Sequence, residues 1–348
     1  MPVTLQDIAE ATGFDKSTVS VALRNLPRAA RFSPETRRRI QQAAHKLGYR
    51  PNFFARQLSD KKPRLLMLCL NYLRDPFAMM VAEGFERHAA ERGYRVLITA
   101  LQDQENPFAL HRDILGLQGV GAMALIGGAS SKLSEKSLIQ LADEGVKIVL
   151  VNRTVADNRI AHVGVNDYEG GVSVAQHIYG QGLREVWVLG GMESEAVEAR
   201  QKAFADVARS VGAPAPMSLR CRGMDWANSA AEMVAGALKK AERLPQAILA
   251  ASDVLALGAG RALTAANLIV GKDVALTGFD DGIYAQCAWP PLTSVRLPMA
   301  DMGRAAVDSL ITMLEQPDEP APSSVLRVEL IVRASSKVAP ASQETSYP

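Results

Sequence analysis

From Leu65 onward the chain repeats one pattern: a short apolar run, then roughly 10–20 residues with helical spacing, then another apolar run. The clearest runs are LLMLCL (65–70), YRVLITA (94–100), GAMALIG (121–127), KIVLVN (147–152), HVGV (162–165), REVWVLG (184–190), QAILAAS (246–252) and DVALTGF (273–279). Most carry apolar residues at consecutive positions, so a strand there needs cover on both faces. Strands of that kind, joined by helical crossovers, form parallel sheets coated by helices on each side. With this many repeats, two doubly wound lobes are expected rather than one. The 348 residues are ample for two or three domains with a large core.

The first sixty residues follow a different rule. TLQDIAEATGFDKSTVSVALRN (Thr4 to Asn25) reads as a helix, a tight turn at Gly13 and a second helix. Thr4 can cap the first, with Asp7 closing a short capping box. Its apolar side is Leu5, Ile8, Ala9 and Ala11. Asp15 can cap the second, whose inward stripe is Val19, Ala22 and Leu23, leaving Lys16, Ser17, Ser20 and Val21 outward. SPETRRRIQQAAHKLGY (Ser33 to Tyr49) is a third helix: Ser33 caps, Pro34 takes the first helical position, and Gly48 stops it. Its buried stripe is Ile40, Ala43, Ala44 and Leu47. A small all-α unit of this kind presents one helix to a DNA groove.

Charge supports that partner. Residues 1–62 carry 12 Lys or Arg against 5 Asp or Glu, a balance of +7, while the remainder carries −5. A basic module on an acidic body suits phosphate binding at one end. The link between them, YRPNFFARQLSDKKPR (Tyr49 to Arg64), holds one or two potential helical turns after Pro51, capped by Asn52. A helix that short is marginal alone. The tail after Val338 reads as flexible.

Other chemistries lack their constellations. The cysteines Cys69, Cys221 and Cys287 are far apart and form no C-x-x-C, so zinc and a redox pair are not indicated. Cys69 and Cys221 are expected to be buried thiols. The histidines His45, His88, His111, His162 and His177 show no metal-type spacing. There is no G-x-S-x-G, Walker A or G-x-G-x-x-G. No enzyme, metal or cofactor is therefore expected. No signal-peptide pattern opens the chain and no apolar run nears the roughly 18 residues that span a bilayer, which makes the cytoplasm the expected location.

Five pieces in order over some 300 residues resemble the LacI/GalR family of bacterial transcription regulators: TLQDIAEATGFDKSTVS, the run SPETRRRI to LGYRPN with AR-x-L, DPF at Asp75–Phe77, GFDD at Gly278–Asp281, and PPLTSVRLPMADMGRAA at Pro290–Ala306. The resemblance covers about residues 3 to 337. It implies a helix-turn-helix headpiece (1–50), a hinge helix and linker (51–63), a two-lobed periplasmic-binding-protein-like body (64–338) and a flexible tail (339–348). The first lobe would hold about 64–159 and 292–322, the second about 160–290 and 323–338. It also implies a homodimer or tetramer on a palindromic operator.

For DNA, the outward residues near the start of the second helix are Lys16, Ser17 and Val21, and the resemblance places base contacts at these positions. Lys16 can donate to guanine or to a phosphate, with a solvated surface lysine as the alternative. Val21 departs from the arginine frequent in the family and can meet a thymine methyl or give no readout. Arg24, Arg28, Arg31 and the Arg37–Arg39 run suit phosphates or solvent. The loop from Asn25 to Ser33 is about two residues longer than commonly seen in the family. Thr4, Leu5, Tyr49, Asn52, Ala55 and Arg56 complete the implied contact set. Leu58 of AR-x-L resembles the hinge leucine that wedges into the minor groove, with packing in the interlobe core as the alternative.

For a small molecule, the carboxyl ends of parallel strands are the place to look. Phe77, Asn152, Arg153, Arg200, Trp226, Ser252, Asp253 and Asp280 sit at or just after such ends. Arg, Asp and Asn exchange hydrogen bonds with hydroxyls, and Phe or Trp covers an apolar ring face, so a sugar or sugar derivative fits. The resemblance implies direct ligand contact by Arg200 and Asp280. Alternatives stay open: Asp280–Asp281 as a turn cap, Arg200 on a helix surface, Trp226 in the core. Inducer and corepressor are both compatible with the sequence. So is a sugar-handling protein with an accessory DNA module.

Overall fold

The computed structural model describes residues 3–23, 31–50, 64–100, 120–127, 134–191, 194–222 and 225–337. Contacts divide the chain into two units, Met1–Lys62 and Pro63–Pro348.

In the first unit, α1 (Leu5–Thr12), α2 (Lys16–Leu23) and α3 (Pro34–Lys46) surround a core of Ile8, Ala9, Val19, Ala22, Ile40 and Ala44. The Thr4 and Ser33 caps are those the sequence announces. The Thr4 backbone N–H donates to Asp7 Oδ2 at 2.7 Å, and the Asp7 N–H returns to Thr4 Oγ1 at 3.4 Å. Gly13 turns the chain at φ +73°. Ser33 Oγ accepts from the Thr36 N–H at 3.1 Å. Two expected core positions are corrected. Ala11 is exposed, and Leu47 is 40% exposed. Thr12 takes the inward place of Ala11, with its hydroxyl satisfied by the Ile8 carbonyl at 2.7 Å. Leu47 ends α3 as its C-cap, where the chain turns at Gly48 and brings Tyr49 back against the core instead.

The second unit holds two six-stranded sheets. The first has the order β11-β5-β4-β3-β1-β2: β1 (Leu65–Leu70), β2 (Arg95–Ala100), β3 (Val120–Ile126), β4 (Lys147–Val151), β5 (Ile160–Val165) and β11 (Ser324–Leu326). The second has the order β12-β10-β9-β8-β6-β7: β6 (Val186–Gly190), β7 (Met217–Arg220), β8 (Ala247–Ala250), β9 (Ala275–Asp280), β10 (Thr293–Arg296) and β12 (Glu329–Ile331). All pairings are parallel except β10 with β12.

Helices cover both faces of each sheet. The first carries α4 (Pro76–Glu91), α5 (Glu135–Asp143) and α11 (Met299–Glu315); the second carries α6 (Asp167–Gly180), α7 (Glu195–Ser210), α8 (Trp226–Leu238), α9 (Asp253–Ala265) and the short α10 (Ile283–Cys287). The alternation of a strand explains the division of the core. In β1, Leu66, Leu68 and Leu70 meet α4 and α11, whereas Met67 and Cys69 join the cluster that includes Leu138 and Leu141 of α5. Cys69 and Cys221 are buried, as expected.

The lobe boundaries move from those implied by the sequence. β5 pairs with β4 and belongs to the first sheet, β11 pairs with β5 there, and β10 pairs with β9 in the second. The chain therefore changes lobe three times: after β5, after β10 and after β11. A strand must complete its backbone hydrogen bonds before leaving a sheet, so the handover falls at strand ends. Local apolarity cannot say which sheet will accept the strand.

α4 and α11 approach at two glycines. A Cβ on Gly84 would overlap the Ala300 backbone, and one on Gly303 would overlap the backbone of Val81 and Phe85. Gly303→Ala is expected to lower stability by about 1–3 kcal/mol, the usual range for overpacking. A thermal melt checks it, and an unchanged midpoint would refute the close packing. No helix among the described residues is long and apolar enough to cross a membrane.

Candidate ligand cleft and nucleic-acid face

The carboxyl ends of the strands converge on one cavity of about 830 Å³ in the second unit. Asn71 and Tyr72 follow β1, Gly127 follows β3, Asn152 follows β4, Gly191 follows β6, Cys221 follows β7, Ser252 follows β8, and Asp280 ends β9. All eight residues singled out for a ligand line it: Phe77, Asn152, Arg153, Arg200, Trp226, Ser252, Asp253 and Asp280. This is where parallel sheets leave a crevice, because helices on alternate faces cannot both close over the strand ends.

Arg200 organises the second-lobe side. It lies in the second turn of α7, which opens at Glu195. The residue is only 4% exposed, so the surface-helix alternative is excluded. Its Nε donates to Asp167 Oδ1 at 2.8 Å, and Nη2 stands 2.6 Å from the same oxygen. Nη1 donates to the Ala251 carbonyl at 2.7 Å and stands 3.6 Å from Asp280 Oδ1. The guanidinium also stacks on Phe279, 3.7 Å from its ring centre. Asp280 reaches this position through a left-handed backbone, φ +116°.

The neighbouring acids have different tasks. Asp253 accepts from the Ser294 hydroxyl at 2.6 Å and the Gly282 N–H at 2.9 Å. Asp281 ion-pairs with Arg296 at 2.8 Å and Arg333 at 2.7 Å, and its N–H donates to Ser294 Oγ at 3.0 Å. The Asp280–Asp281 turn is thus divided: Asp281 is tied to Arg296 and Arg333, while Asp280 lines the cavity. Ser252 Oγ caps α9. Trp226 opens α8, half-buried against the lobe core and lining the cavity at once. Asn152 turns at φ +58°. The amide oxygens of Asn71 and Asn152 are buried and have no hydrogen-bond partner among the described residues.

The strand-end rule also applied to Asn71 and Tyr72, which sequence reasoning passed over. Asp75, beside the chosen Phe77, was missed as well, although it caps α4 by accepting the Phe77 N–H at 3.1 Å. Tyr284, on the short α10, carried no strand-end signal.

Burial pushes the Asp253 carboxyl up to about 7 and the Asp75 carboxyl up to about 6. Asp280 is raised well above the usual range by burial, against the pull of Arg200 and with the repulsion of Asp253, Asp75 and Asp167. Each acid holds its proton more firmly folded than unfolded. Their contribution to stability is therefore complete below the usual carboxylate range and is lost as pH rises through about 6 and about 7. The melting temperature of the ligand-free protein is expected to fall between pH 5 and 8, and Asp253→Asn should flatten that fall. A wild-type melting temperature that is constant over this interval would contradict the assignment.

In the first unit, Lys16, Ser17, Thr4 and Arg31 are exposed, while Leu5, Val21 and Tyr49 are half-buried. Arg39 stacks over Phe14 at 5.4 Å, so it is not simply a solvated charge. Arg24, Arg28, Asn52, Ala55, Arg56 and Leu58 lie outside the described residues. Groups of three or more metal-type ligands are absent among the described residues.

The comparisons with known proteins agree with this division. Residues 4–52 match the model for bacterial regulatory proteins of the lacI family, and residues 175–336 match that for a periplasmic binding protein-like domain. The chain is 26% identical over 338 residues to the HTH-type transcriptional repressor CytR of Escherichia coli (strain K12), covering 97% of each. It is 27% identical over 304 residues to the HTH-type transcriptional regulator DegA of Bacillus subtilis (strain 168), covering 87% of this chain and 89% of the relative. The fold matches the lac repressor dimer bound to operator and the anti-inducer ONPF with a TM-score of 0.85 and 24% identity, covering 97% of this chain and all of that one.

Proposed function

The chain belongs to the lacI family of bacterial regulatory proteins, and from that premise we propose that it is a transcriptional repressor whose operator affinity is set by a small molecule held in the cleft. The carrying observation is the pairing of a folded helix-turn-helix, with Lys16 and Ser17 exposed on α2, and a separate cavity organised around buried Arg200. The headpiece reads DNA and the cleft reads the cell's chemistry.

On the DNA side, Lys16 and Ser17 read bases in the major groove of a palindromic operator. Thr4, Leu5, Tyr49 and the arginines Arg24, Arg28 and Arg31 position the module on phosphates. Half-buried Val21 offers little readout, so Leu58 and its neighbours Asn52, Ala55 and Arg56 supply much of the specificity as a paired hinge in a homodimer. The effector is a sugar or sugar derivative, contacted by the eight cleft residues. It shifts the equilibrium between lobe arrangements and is not turned over, so the protein is no enzyme. Its place of action is the cytoplasm, where its operator lies.

The test is a footprint on the gene's own upstream DNA, with and without sugars that raise the melting temperature. A protected palindrome whose protection changes with such a sugar is expected. Lys16→Ala should weaken operator binding about 5- to 150-fold, the range for one base contact of about 1–3 kcal/mol. Equal affinity for operator and unrelated DNA would overturn the reading.

A further inference from the structure

We propose that Asp281 is a positioning residue that carries cleft occupancy to the boundary between the lobes. It touches no ligand, yet through Arg296 and Arg333 it ties the Asp280 turn to the segments by which the chain passes from one lobe to the other. The inference rests on the cleft being the effector site and names the residue that converts binding there into a change of operator affinity.

The three crossings are short. Asn166 alone separates β5 from α6, Leu297 and Pro298 separate β10 from α11, and Arg327 and Val328 separate β11 from β12. Lobes that move as bodies concentrate their backbone change in such element ends. The two acids of one turn reach all three. Asp280 stands 3.6 Å from Arg200 Nη1, and Arg200 holds Asp167, the first residue of α6, at the first crossing. Asp281 Oδ2 accepts from Arg296 Nε at 2.8 Å, and Arg296 ends β10 at the second. Arg296 Nη1 lies 3.7 Å from Glu329, which opens β12 at the third. Asp281 Oδ1 stands 2.7 Å from Arg333 Nη2, just beyond β12, and Arg333 Nη1 donates to the Leu292 carbonyl at 2.6 Å. The backbone adds a tie, since the Leu297 N–H donates to the Asp280 carbonyl at 3.2 Å.

Burial and strain set Asp281 apart from an ordinary turn acid. Its side chain is 0% exposed, and it is absent from the cavity lining although its neighbours Asp280 and Gly282 are part of it. Asp280 and Asp281 stand at φ +116° and +52°. Glycine would make such a turn without strain, and strain of this kind persists where the surroundings impose it. The surroundings here are the two arginines. The network also returns to the cavity: the Asp281 N–H donates to Ser294 Oγ at 3.0 Å, and that hydroxyl donates to Asp253 Oδ1 at 2.6 Å. A ligand shifts the lobe equilibrium only through contacts that differ between arrangements. Asp281 links the acids that line the cavity to the residues that flank the crossings, so it passes a displacement of the first to the second.

The experiment uses the full-length chain. Ribose, glucose and cellobiose are titrated by calorimetry, and operator Kd is measured by anisotropy without and with a saturating amount of the sugar that binds most tightly. Arg296→Gln is the mild variant, because Arg296 is 49% exposed and its loss leaves Asp281 beside Arg333. Asp281→Asn with Arg333→Met is the complete one, removing the buried acid together with its nearer-buried cation so that neither is stranded. Both should bind the sugar within about twofold of wild type, as separate sites do. The sugar-induced change in operator Kd, about 5- to 150-fold in wild type, should shrink in Arg296→Gln and fall below about twofold in the double variant. Arg296→Lys keeps a cation beside Asp281 and should retain most of the change. An undiminished change in Arg296→Gln or in the double variant overturns the proposal and leaves the cleft as the effector site. So does a lowered melting temperature with sugar and operator binding weakened alike, which is the mark of a structural role. No sugar bound by the wild type, or a bound sugar that leaves its operator Kd unchanged, overturns the cleft reading and the proposal together.

Discussion

Arg200→Ala is expected to abolish the ligand response while leaving operator binding in place. The reasoning starts from burial. Arg200 is 4% exposed, and its guanidinium supplies the only cation within salt-bridge distance of Asp167 among the described residues. Removing it strands Asp167 beside Asp280, whose own ionisation it favours. Breaking a buried pair from one side costs roughly 3–5 kcal/mol, so the midpoint of the second unit's unfolding should drop clearly. The released Ala251 carbonyl and the uncovered face of Phe279 add to the loss. The headpiece has its own core of Ile8, Val19 and Ile40 and should still fold. Because destabilisation alone could mimic lost binding, Arg200→Met with Asp167→Asn is the companion variant. It removes both charges, should recover much of the stability, and should still fail to respond to ligand. A double variant that responds normally would show that Arg200 serves packing only.

Leu58→Ala carries the other large effect. The FFARQL segment is short for an isolated helix, and under the proposed reading DNA orders it while the Leu58 side chain enters a base step. Losing the wedge should bring operator affinity down toward that for unrelated DNA, a fall of about a thousandfold or more. The residual binding should weaken steeply with salt, because it rests on phosphate contacts. Fluorescence anisotropy on operator and scrambled duplexes at two salt concentrations measures both. Undiminished discrimination between the duplexes would remove Leu58 from the account.

Long apolar strands were legible because a strand covered on both faces needs apolar residues at consecutive positions. β1, β3 and β4 read directly from LLMLCL, GAMALI and KIVLV. β7, β11 and β12 did not, since most of their residues are exposed or half-buried and leave no such record. The eight cleft residues were legible because strand ends in a parallel sheet are fixed points. Their division of labour was not. Asp167 meets Arg200 across 33 positions of sequence, and Asp281 turns away to Arg296 and Arg333 although it neighbours Asp280. Such pairings are set by tertiary packing, which local spacing does not encode.

The central claim is that ligand in the cleft and DNA on the headpiece are coupled through one protein. Coupling is reciprocal: a ligand that changes operator affinity by some factor must have its own affinity changed by the same factor when operator is bound. The decisive measurement is therefore a four-sided binding cycle, with operator Kd taken with and without saturating ligand and ligand Kd with and without operator. The account predicts a shift of about 5- to 150-fold on both sides, equal within error, that vanishes in Arg200→Ala. A ligand that fills the cleft yet leaves operator Kd unchanged would contradict it.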